Sequence, residues 1–335
     1  VYKRQLKLRR SGGEIAYAGP GDEPGLSGDL GVGSLRFTVR AGDTYNRTEG
    51  LPVLFGPIFE TGGRNPLKLE MLGTWRTDSG FNLDTNELGY LVRLEQAVGG
   101  TREYFLGAEL FDQVQALEMW GLTNLEASLA SFLLHTDYRD YVDLRGWSGF
   151  ARYSPRGSDF DLTADYRDER QEFRRVGSPW TLSNNDEPWR PQPMVYEGKL
   201  RSVGLQFALD TRNDPRQPSG GWFVDGRLRF GVSGDWAYPA HLNPYREAGD
   251  TGSVAEVPAQ EFSTAFATAF LDVRSFNRLT PSFTLNFRGL AGGSLRNQAL
   301  PPQYQHALGG EGSMPGYGLF WGDCKARDAT VGKPV

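Results

Sequence analysis

The residue types that most often carry chemistry are scarce in this chain and do not form a recognisable site. The sequence contains three histidines and one cysteine, His135, His241, His306 and Cys324. Their spacing matches no metal-binding pattern, and no G-x-S-x-G segment marks a nucleophilic serine. We therefore expect no catalytic residue, no metal and no cofactor, and a protein that is not an enzyme.

A cluster of charged residues lies in a long predicted loop between residues 115 and 145. The cluster consists of Asp137, Arg139, Asp140, Asp143 and Arg145. Interspersed carboxylates and guanidinium groups predict a solvated network on a surface loop. Calcium binding is the less favoured alternative, because Ca²⁺ is bound by carboxylate oxygens.

Further charges recur on one face of predicted strands. Asp225, Arg227 and Arg229 alternate with the apolar residues of the run 222–232, so they share one face of a β-strand while the opposite face is almost entirely apolar. Later strands add Asp272, Arg274 and Arg288. An apolar outer face around a charged interior is typical of a transmembrane β-barrel. Because both signs are present, we expect these charges to pair in the lumen, whereas a selective pore would carry a ring of one sign.

The elements that position these residues follow from period-two alternation of apolar and polar residues. The alternation predicts eleven β-strands between residues 35 and 288. Short turns alternate with longer connections, and the segment 122–134 within the longest connection has the composition of a short helix. Short periplasmic turns and long extracellular loops are typical of an up-and-down bacterial barrel. The predicted fold is therefore all-β and antiparallel.

Composition agrees with this fold class. The chain has 335 residues, with 43 glycines and 13% aromatic residues, as expected for many turns and for aromatic girdles. No apolar run approaches the roughly 18 residues that a membrane helix requires. The mean hydropathy is −0.48, and only a barrel spans a bilayer with so polar a sequence. The formal net charge of −5 argues against a nucleic-acid partner.

Two glycine-rich segments provide a family resemblance. Asp210–Trp222 reads D-T-R-N-D-P-R-Q-P-S-G-G-W, and Ala307–Tyr317, roughly a hundred residues later, reads A-L-G-G-E-G-S-M-P-G-Y. The first segment alone is equally compatible with an ordinary turn. Together they resemble the bacterial surface-antigen family of outer-membrane assembly barrels, the BamA and TamA type.

The resemblance carries over to particular residues. The residues that match the family's turn are Asp210, Arg212, Pro218 and either Gly220 or Gly221. The residues that match its lumen loop are Gly309, Gly310, Ser313, Gly316 and Tyr317. Met314 replaces the family's valine and Pro315 its arginine, so this chain lacks the guanidinium donors that anchor the family's loop inside the barrel.

The resemblance also implies a role and a setting. It implies a protein of the bacterial cell outer membrane that inserts or translocates proteins, with outer-membrane lipid and lipopolysaccharide around it and unfolded proteins as substrates. We expect a Gly-rich segment at 1–34 and a barrel domain at 35–335 that lacks POTRA domains. Because family barrels have about sixteen strands, we expect this barrel domain to be incomplete at its C-terminus. A passive porin-like channel is the main alternative, and a barrel lipid hydrolase is a weaker one.

Overall fold

The fold is a large antiparallel sheet with a small helical insertion. The computed structural model describes residues 25–29, 33–42, 44–79, 88–117, 122–192, 195–215, 217–238, 241–242, 256–257, 259–296, 300–305, 307–308 and 322–323. A weaker strand that the sequence predicts near residues 14–17 lies outside these ranges.

Strands are numbered in chain order. The long strands are β2 (Gly33–Ala41), β3 (Pro52–Thr61), β4 (Leu67–Arg76), β5 (Leu88–Val98), β6 (Tyr104–Ala116), β7 (Tyr141–Tyr153), β8 (Phe160–Phe173), β9 (Glu197–Asp210), β10 (Gly220–Tyr238), β14 (Ala267–Thr280) and β15 (Phe283–Ser294). The short strands are β1 (Gly25–Asp29), β11 (His241–Leu242), β12 (Glu256–Val257), β13 (Gln260–Phe262), β16 (Ala307–Leu308) and β17 (Gly322–Asp323).

The strand order confirms the predicted up-and-down architecture. From β1 to β10, and on to β14 and β15, each strand pairs with its neighbour in the sheet, and every pair is antiparallel. The eleven long strands of the described residues correspond to the eleven predicted strands. In the described part of the chain, β1 and β15 form the two edges of the sheet.

The connections fall into two classes at opposite ends of the sheet. The segments 62–66, 99–103, 154–159, 211–219 and 281–282 lie at one end, which we call the turn end. The described residues of the longer segments 42–51, 77–87, 117–140, 174–196 and 239–266 lie at the other end, which we call the loop end. The predicted alternation of short and long connections is thus confirmed.

Several strands extend further toward the loop end than the alternation predicts. β7 begins at Tyr141 rather than near Trp147, and β8 runs to Phe173 rather than to Arg167. The added part of β8 carries charged residues on both faces, and that of β7 carries Asp143 and Arg145 on its outer face, so the hydropathy signal disappears while the backbone ladder continues. At the other end of the chain, β2 begins at Gly33 and β1 lies within the predicted Gly-rich segment.

The predicted helix is confirmed as α1 (Asn124–Leu134). Thr123 caps it through a reciprocal capping box with Glu126, and the hydrogen bond from the Thr123 backbone N–H lowers the pKa of the Glu126 carboxyl. The helix ends at His135, which has left-handed backbone angles. In the part of the chain that the structure describes, no helix has the length and hydropathy needed to cross a membrane.

One face of the sheet, here called the outer face, is apolar and exposed. Its large side chains occupy alternate strand positions, and Trp222 and Leu106 are 51% and 53% exposed. Other members on nearly every long strand are Leu35, Phe37, Val39, Phe55, Met71, Tyr90, Leu94, Tyr104, Leu110, Trp147, Val203, Leu205, Phe230, Val232, Leu271, Phe283, Leu285 and Phe287. An apolar surface of this extent is unusual for a protein in water.

The opposite, inner face is concave. Arg174 directly follows β8, and its Nη2 donates to the Thr48 carbonyl just before β3 at 3.1 Å. In a flat sheet, five strand spacings would separate β3 from β8 by about 24 Å. The loop residue Val195 also packs with the inner-face residues Leu54 and Leu91. The sheet therefore curls around its inner face, as the wall of a barrel does.

Candidate functional site

The candidate site is the inner face, where the six predicted lumen charges lie on β10, β14 and β15. Asp225 lies directly opposite Asp272 in the register of β10 and β14, and Arg274 lies directly opposite Arg288 in that of β14 and β15. Like charges in opposed positions destabilise a sheet unless other groups compensate them.

Arginines on the same and neighbouring strands provide that compensation. Arg227 Nη2 lies 2.7 Å from Asp225 Oδ2, while Asp272 Oδ2 lies 2.6 Å from Arg274 Nη2 and 2.9 Å from Arg288 Nη2. Both carboxylate side chains are only 4% exposed. A buried carboxylate is tolerated only when it is paired and hydrogen-bonded. The mixed charges that the sequence places on this face thus bind each other.

Arg229 pairs with a carboxylate two strands away. Its Nη2 donates to Asp165 Oδ1 at 3.2 Å, across β9, and Asp165 also accepts from Arg167 Nε at 3.2 Å. The side chains pass over Gly204, where an added Cβ would lie 2.5 Å from Asp165 Oδ1 and 2.6 Å from Arg229 Cζ. Glycine at this position makes the long-range ion pair sterically feasible.

Similar pairs cover the inner face of earlier strands. Arg93 Nη1 lies 3.0 Å from Glu109 Oε1, and Arg152 Nη2 lies 2.7 Å from Glu95 Oε1. Lys68 Nζ lies 2.7 Å from Glu70 Oε1 on β4. The inner face from β4 to β15 is thus lined by charges of both signs in contact with each other.

The turn motif joins β9 to β10 at the turn end. The Arg212 guanidinium binds the Asp210 carboxylate with two hydrogen bonds of 2.7 Å and lies over the Phe223 ring, 4.8 Å from its centroid. This bidentate geometry fixes the direction of the chain as it leaves β9. Asp210 and Arg212 therefore hold the turn against the inner face, and Pro218 is half-buried beside it.

The two glycines of the motif have different roles. Gly221 has φ +104°, and a Cβ added there would lie 2.2 Å from the Thr211 carbonyl oxygen. An added Cβ on Gly220 would meet no atom within 4 Å. Of the two candidates that the sequence leaves open, Gly221 is the position that requires glycine.

A segment that follows β15 packs onto the inner face at the loop end. Gln303 Nε2 donates to Gln171 Oε1 at 2.9 Å and to the Tyr196 carbonyl at 3.0 Å, while Gln303 Oε1 accepts from the Tyr196 N–H at 3.2 Å. Gln303 is 8% exposed and Leu300 beside it is 9% exposed. Tyr304 packs against Phe266, with ring centroids 4.7 Å apart. Residues 300–305 therefore form an inner plug segment on β8 to β10.

The lumen-loop motif begins directly beyond this plug segment. In a separate two-stranded sheet, Ala307 pairs with Asp323 and Leu308 pairs with Gly322. The motif residues between these strands lie outside the described residues, namely Gly309, Gly310, Ser313, Met314, Pro315, Gly316 and Tyr317. Their position in the lumen remains a prediction.

A cap of three connections covers the loop end. At its centre the Arg47 side chain is 0% exposed and donates to the carbonyls of Asp137 and Arg139, to Asp140 Oδ1 at 3.2 Å and to Gln192 Oε1 at 2.6 Å. These partners come from the β6–β7 and β8–β9 connections, whereas Arg47 comes from β2–β3. One guanidinium group thus ties together three loops.

Aromatic contacts extend the cap around α1. Tyr45 packs edge-on against Phe132, and Phe132 against Trp180, with centroid distances of 5.3 and 5.6 Å. The His135 ring stacks on Trp189 at 3.7 Å. Burial, with a smaller contribution from Asp78, raises the pKa of Tyr45 to about 12.

The cap corrects the prediction for the charged cluster in this insertion. Asp137, Arg139 and Asp140 are buried rather than solvated, since they bind Arg47 and backbone groups. Asp143 and Arg145 belong to β7. Among the described residues, no group of three or more potential ligands could hold a metal ion.

Sequence reasoning missed the residues whose roles depend on distant partners. Arg47, Gln192 and Gln303 make their contacts with segments 50 or more residues away. A local signal exists only for Gln303, because the Pro301-Pro302 pair breaks regular structure just before it.

Comparison with solved structures gives a structural likeness to an outer-membrane barrel protein. The chain matches the crystal structure of BamA from Haemophilus ducreyi lacking POTRA domains 1-3, with 14% sequence identity and a TM-score of 0.44. The match covers 87% of this chain and 46% of that chain, so the chain spans less than half of that protein's length. A TM-score this low does not by itself establish a common fold. No protein-family model matches the chain, and no curated protein matches it significantly.

We predict that Gly221→Ala destabilises the folded sheet by about 1 to 2 kcal/mol or more, because alanine is strained at this positive φ and its Cβ clashes with Thr211. Gly220→Ala is the matched control and should change the stability little. The midpoints of urea-induced unfolding in detergent micelles measure the stability of both variants. Equal midpoints for the two variants would contradict the assignment.

We predict that Arg47→Met destabilises the cap by about 3 to 5 kcal/mol, because it removes the guanidinium that Asp137 and Asp140 share in a buried site. Arg64→Met, at an exposed position of the turn end, is the control. Limited proteolysis of 117–140 and 174–196 reports the opening of the cap. Unchanged cleavage rates in Arg47→Met would show that this side chain does not hold the loops.

Proposed function

We propose that this chain is the barrel part of a bacterial outer-membrane protein that acts in the insertion or translocation of other proteins. The observation that carries the membrane assignment is the two-sided sheet. Its outer face exposes apolar side chains, whereas its inner face buries paired charges. Lipid is the surrounding in which this arrangement is stable.

The apolar band is continuous across neighbouring strands. On β6 to β9, outward positions are apolar or glycine over Tyr104–Leu110, Trp147–Tyr153, Phe160–Tyr166 and Val203–Leu209. Each segment has seven residues, which corresponds to about 20 Å along a strand. At the strand tilt of roughly 35–45° in outer-membrane barrels, this length spans about 15 Å along the membrane normal, which is part of the band of roughly 25 Å on such barrels.

Aromatic pairs mark both borders of this band. Tyr104 and Tyr153 stack at 4.8 Å at the turn end, and Trp147 and Tyr166 lie 5.4 Å apart at the loop end. Tyrosine and tryptophan prefer the interface between hydrocarbon and headgroups. The two pairs therefore support a bilayer whose interfaces lie at these levels.

The inner face favours a structural wall over an ion-selective pore. Its carboxylates and guanidinium groups neutralise each other, and the cap and the plug segment cover the loop end. These features and the two motifs support a role in protein assembly, with unfolded outer-membrane proteins as substrates and outer-membrane lipid as the surroundings.

We predict that Leu205→Arg blocks membrane insertion, because it places a charge near the middle of the outer band at a cost of about 2 to 4 kcal/mol. Gln206→Glu places a charge one residue further on, on the inner face of β9 and directly opposite Arg227, and it is the control that should insert. Protease protection in vesicles measures insertion. Normal insertion of Leu205→Arg would mean that this face does not contact lipid.

The assembly role is tested with proteoliposomes that contain the whole chain. Urea-unfolded barrel protein is added, and the heat-modifiable, protease-protected fraction is followed over time. We expect faster folding than in empty vesicles. A stable, ion-selective conductance without acceleration would favour the porin alternative, and serine-dependent phospholipid hydrolysis would favour the hydrolase alternative.

A further inference from the structure

A row of cations crosses three strands on the outer face, just above the apolar band. Arg145 on β7 lies directly opposite Arg170 on β8, and Arg170 lies directly opposite Lys199 on β9. The row ends in carboxylates, with Asp112 opposite Arg145 on β6 and Asp235 opposite Lys199 on β10. Three like charges in directly opposed positions are unfavourable in an isolated sheet.

Two of the four carboxylates near the row lie deeper than the cations, whereas Glu172 and Asp235 are exposed. The Arg145 side chain is 61% exposed, whereas Asp112, its partner at 2.5 Å, is 15% exposed. Asp168 binds Lys199 and is 14% exposed, while Lys199 is 45% exposed. In these two pairs the cation is therefore the outward member.

Arg170 at the centre is the least compensated member. Cations lie opposite it on both sides, and its ion pair with Glu172 is exposed, at 61% for Arg170 and 53% for Glu172. An exposed pair contributes little to stability because water screens it. The centre of the row thus has capacity for an additional anion.

The row adjoins the aromatic border of the apolar band on β7, while on β8 and β9 the ion pair of Asp168 with Arg201 lies between the row and the band. Trp147 follows Arg145 by two residues on the same face of β7, and it packs against Tyr166, four positions before Arg170 on β8. Val203 continues the apolar surface on β9 and is 42% exposed. Cations above an apolar wall match an amphiphile whose anionic group and acyl chains are contiguous.

We infer that Arg145, Arg170 and Lys199 bind the phosphate of a lipid headgroup at the loop-end interface, with the acyl chains along Trp147, Tyr166 and Val203. Guanidinium groups favour phosphate because their planar donors match its oxygens. The apolar wall below the row favours a phospholipid or glycolipid phosphate over soluble phosphate. This inference rests on the proposed membrane function and names a lipid class for it.

The test compares whole protein in phosphatidylcholine vesicles with protein in phosphatidylcholine vesicles doped with diphosphoryl lipid A. The variant Arg145→Gln/Arg170→Gln/Lys199→Gln removes the row. The control Arg64→Gln/Arg156→Gln/Arg278→Gln removes the same charge from exposed positions at the turn end. Lipid A that remains bound after detergent extraction is measured by native mass spectrometry, and thermal midpoints are recorded in both vesicle types.

We expect lipid A to raise the midpoint of the wild type and the control but not that of the row variant, whose lipid affinity should fall roughly a hundred-fold at about 1 kcal/mol per cation. In vesicles without anionic lipid, Arg170→Gln alone should leave the midpoint unchanged or raise it, because it relieves like-charge opposition. Equal lipid binding by the row variant would overturn the inference, as would equal stabilisation by inorganic phosphate. In either case, normal insertion of the variant would leave the proposed function intact.

Discussion

The pairing of carboxylates with arginines on the concave face is the interaction on which the structure depends. Asp225 and Asp272 lie directly opposite each other on the adjacent strands β10 and β14. Because both side chains are almost fully buried, each must keep its guanidinium partners. Because β10 alternates without interruption from Trp222 to Phe230, fixing Asp225 inward forces Trp222 and its apolar neighbours outward. The inner charges and the exposed apolar face are therefore two consequences of one register.

The need to pair buried polar groups also shapes both ends of the sheet. At the turn end, Arg212 binds Asp210 and covers the Phe223 ring, which also lies beneath Arg274 at 5.1 Å. At the loop end, Arg47 ties three connections together and Gln303 fastens a returning segment to the wall. In each case a polar side chain reaches several polar groups in a region that lacks regular backbone hydrogen bonding.

The sequence predicted the features that depend on the local alternation of apolar and polar residues, but not the contacts between residues that are far apart in the chain. Alternation located the eleven strands and oriented Asp225, Arg227 and Arg229, because side-chain direction in a strand follows from position alone. The alternation predicted β7 and β8 to be shorter than they are, because charged residues such as Arg170 and Glu172 replace apolar residues on the outer face above the apolar band. It also placed Asp137 and Asp140 in solvent, since no local pattern shows that Arg47, about ninety residues earlier, buries them. The choice between Gly220 and Gly221 likewise required the backbone angles.

The central claim is that the apolar face contacts lipid while the charged face does not. Spin labels at successive positions 202–207 of β9, in a chain with Cys324 replaced by serine, test it most directly through their accessibility to oxygen and to a water-soluble nickel chelate. The account predicts that labels at Val203, Leu205 and Phe207 are accessible to membrane-dissolved oxygen, with the intervening positions shielded from it. Labels at those three positions that respond instead to the nickel chelate, or to neither reagent, would contradict it.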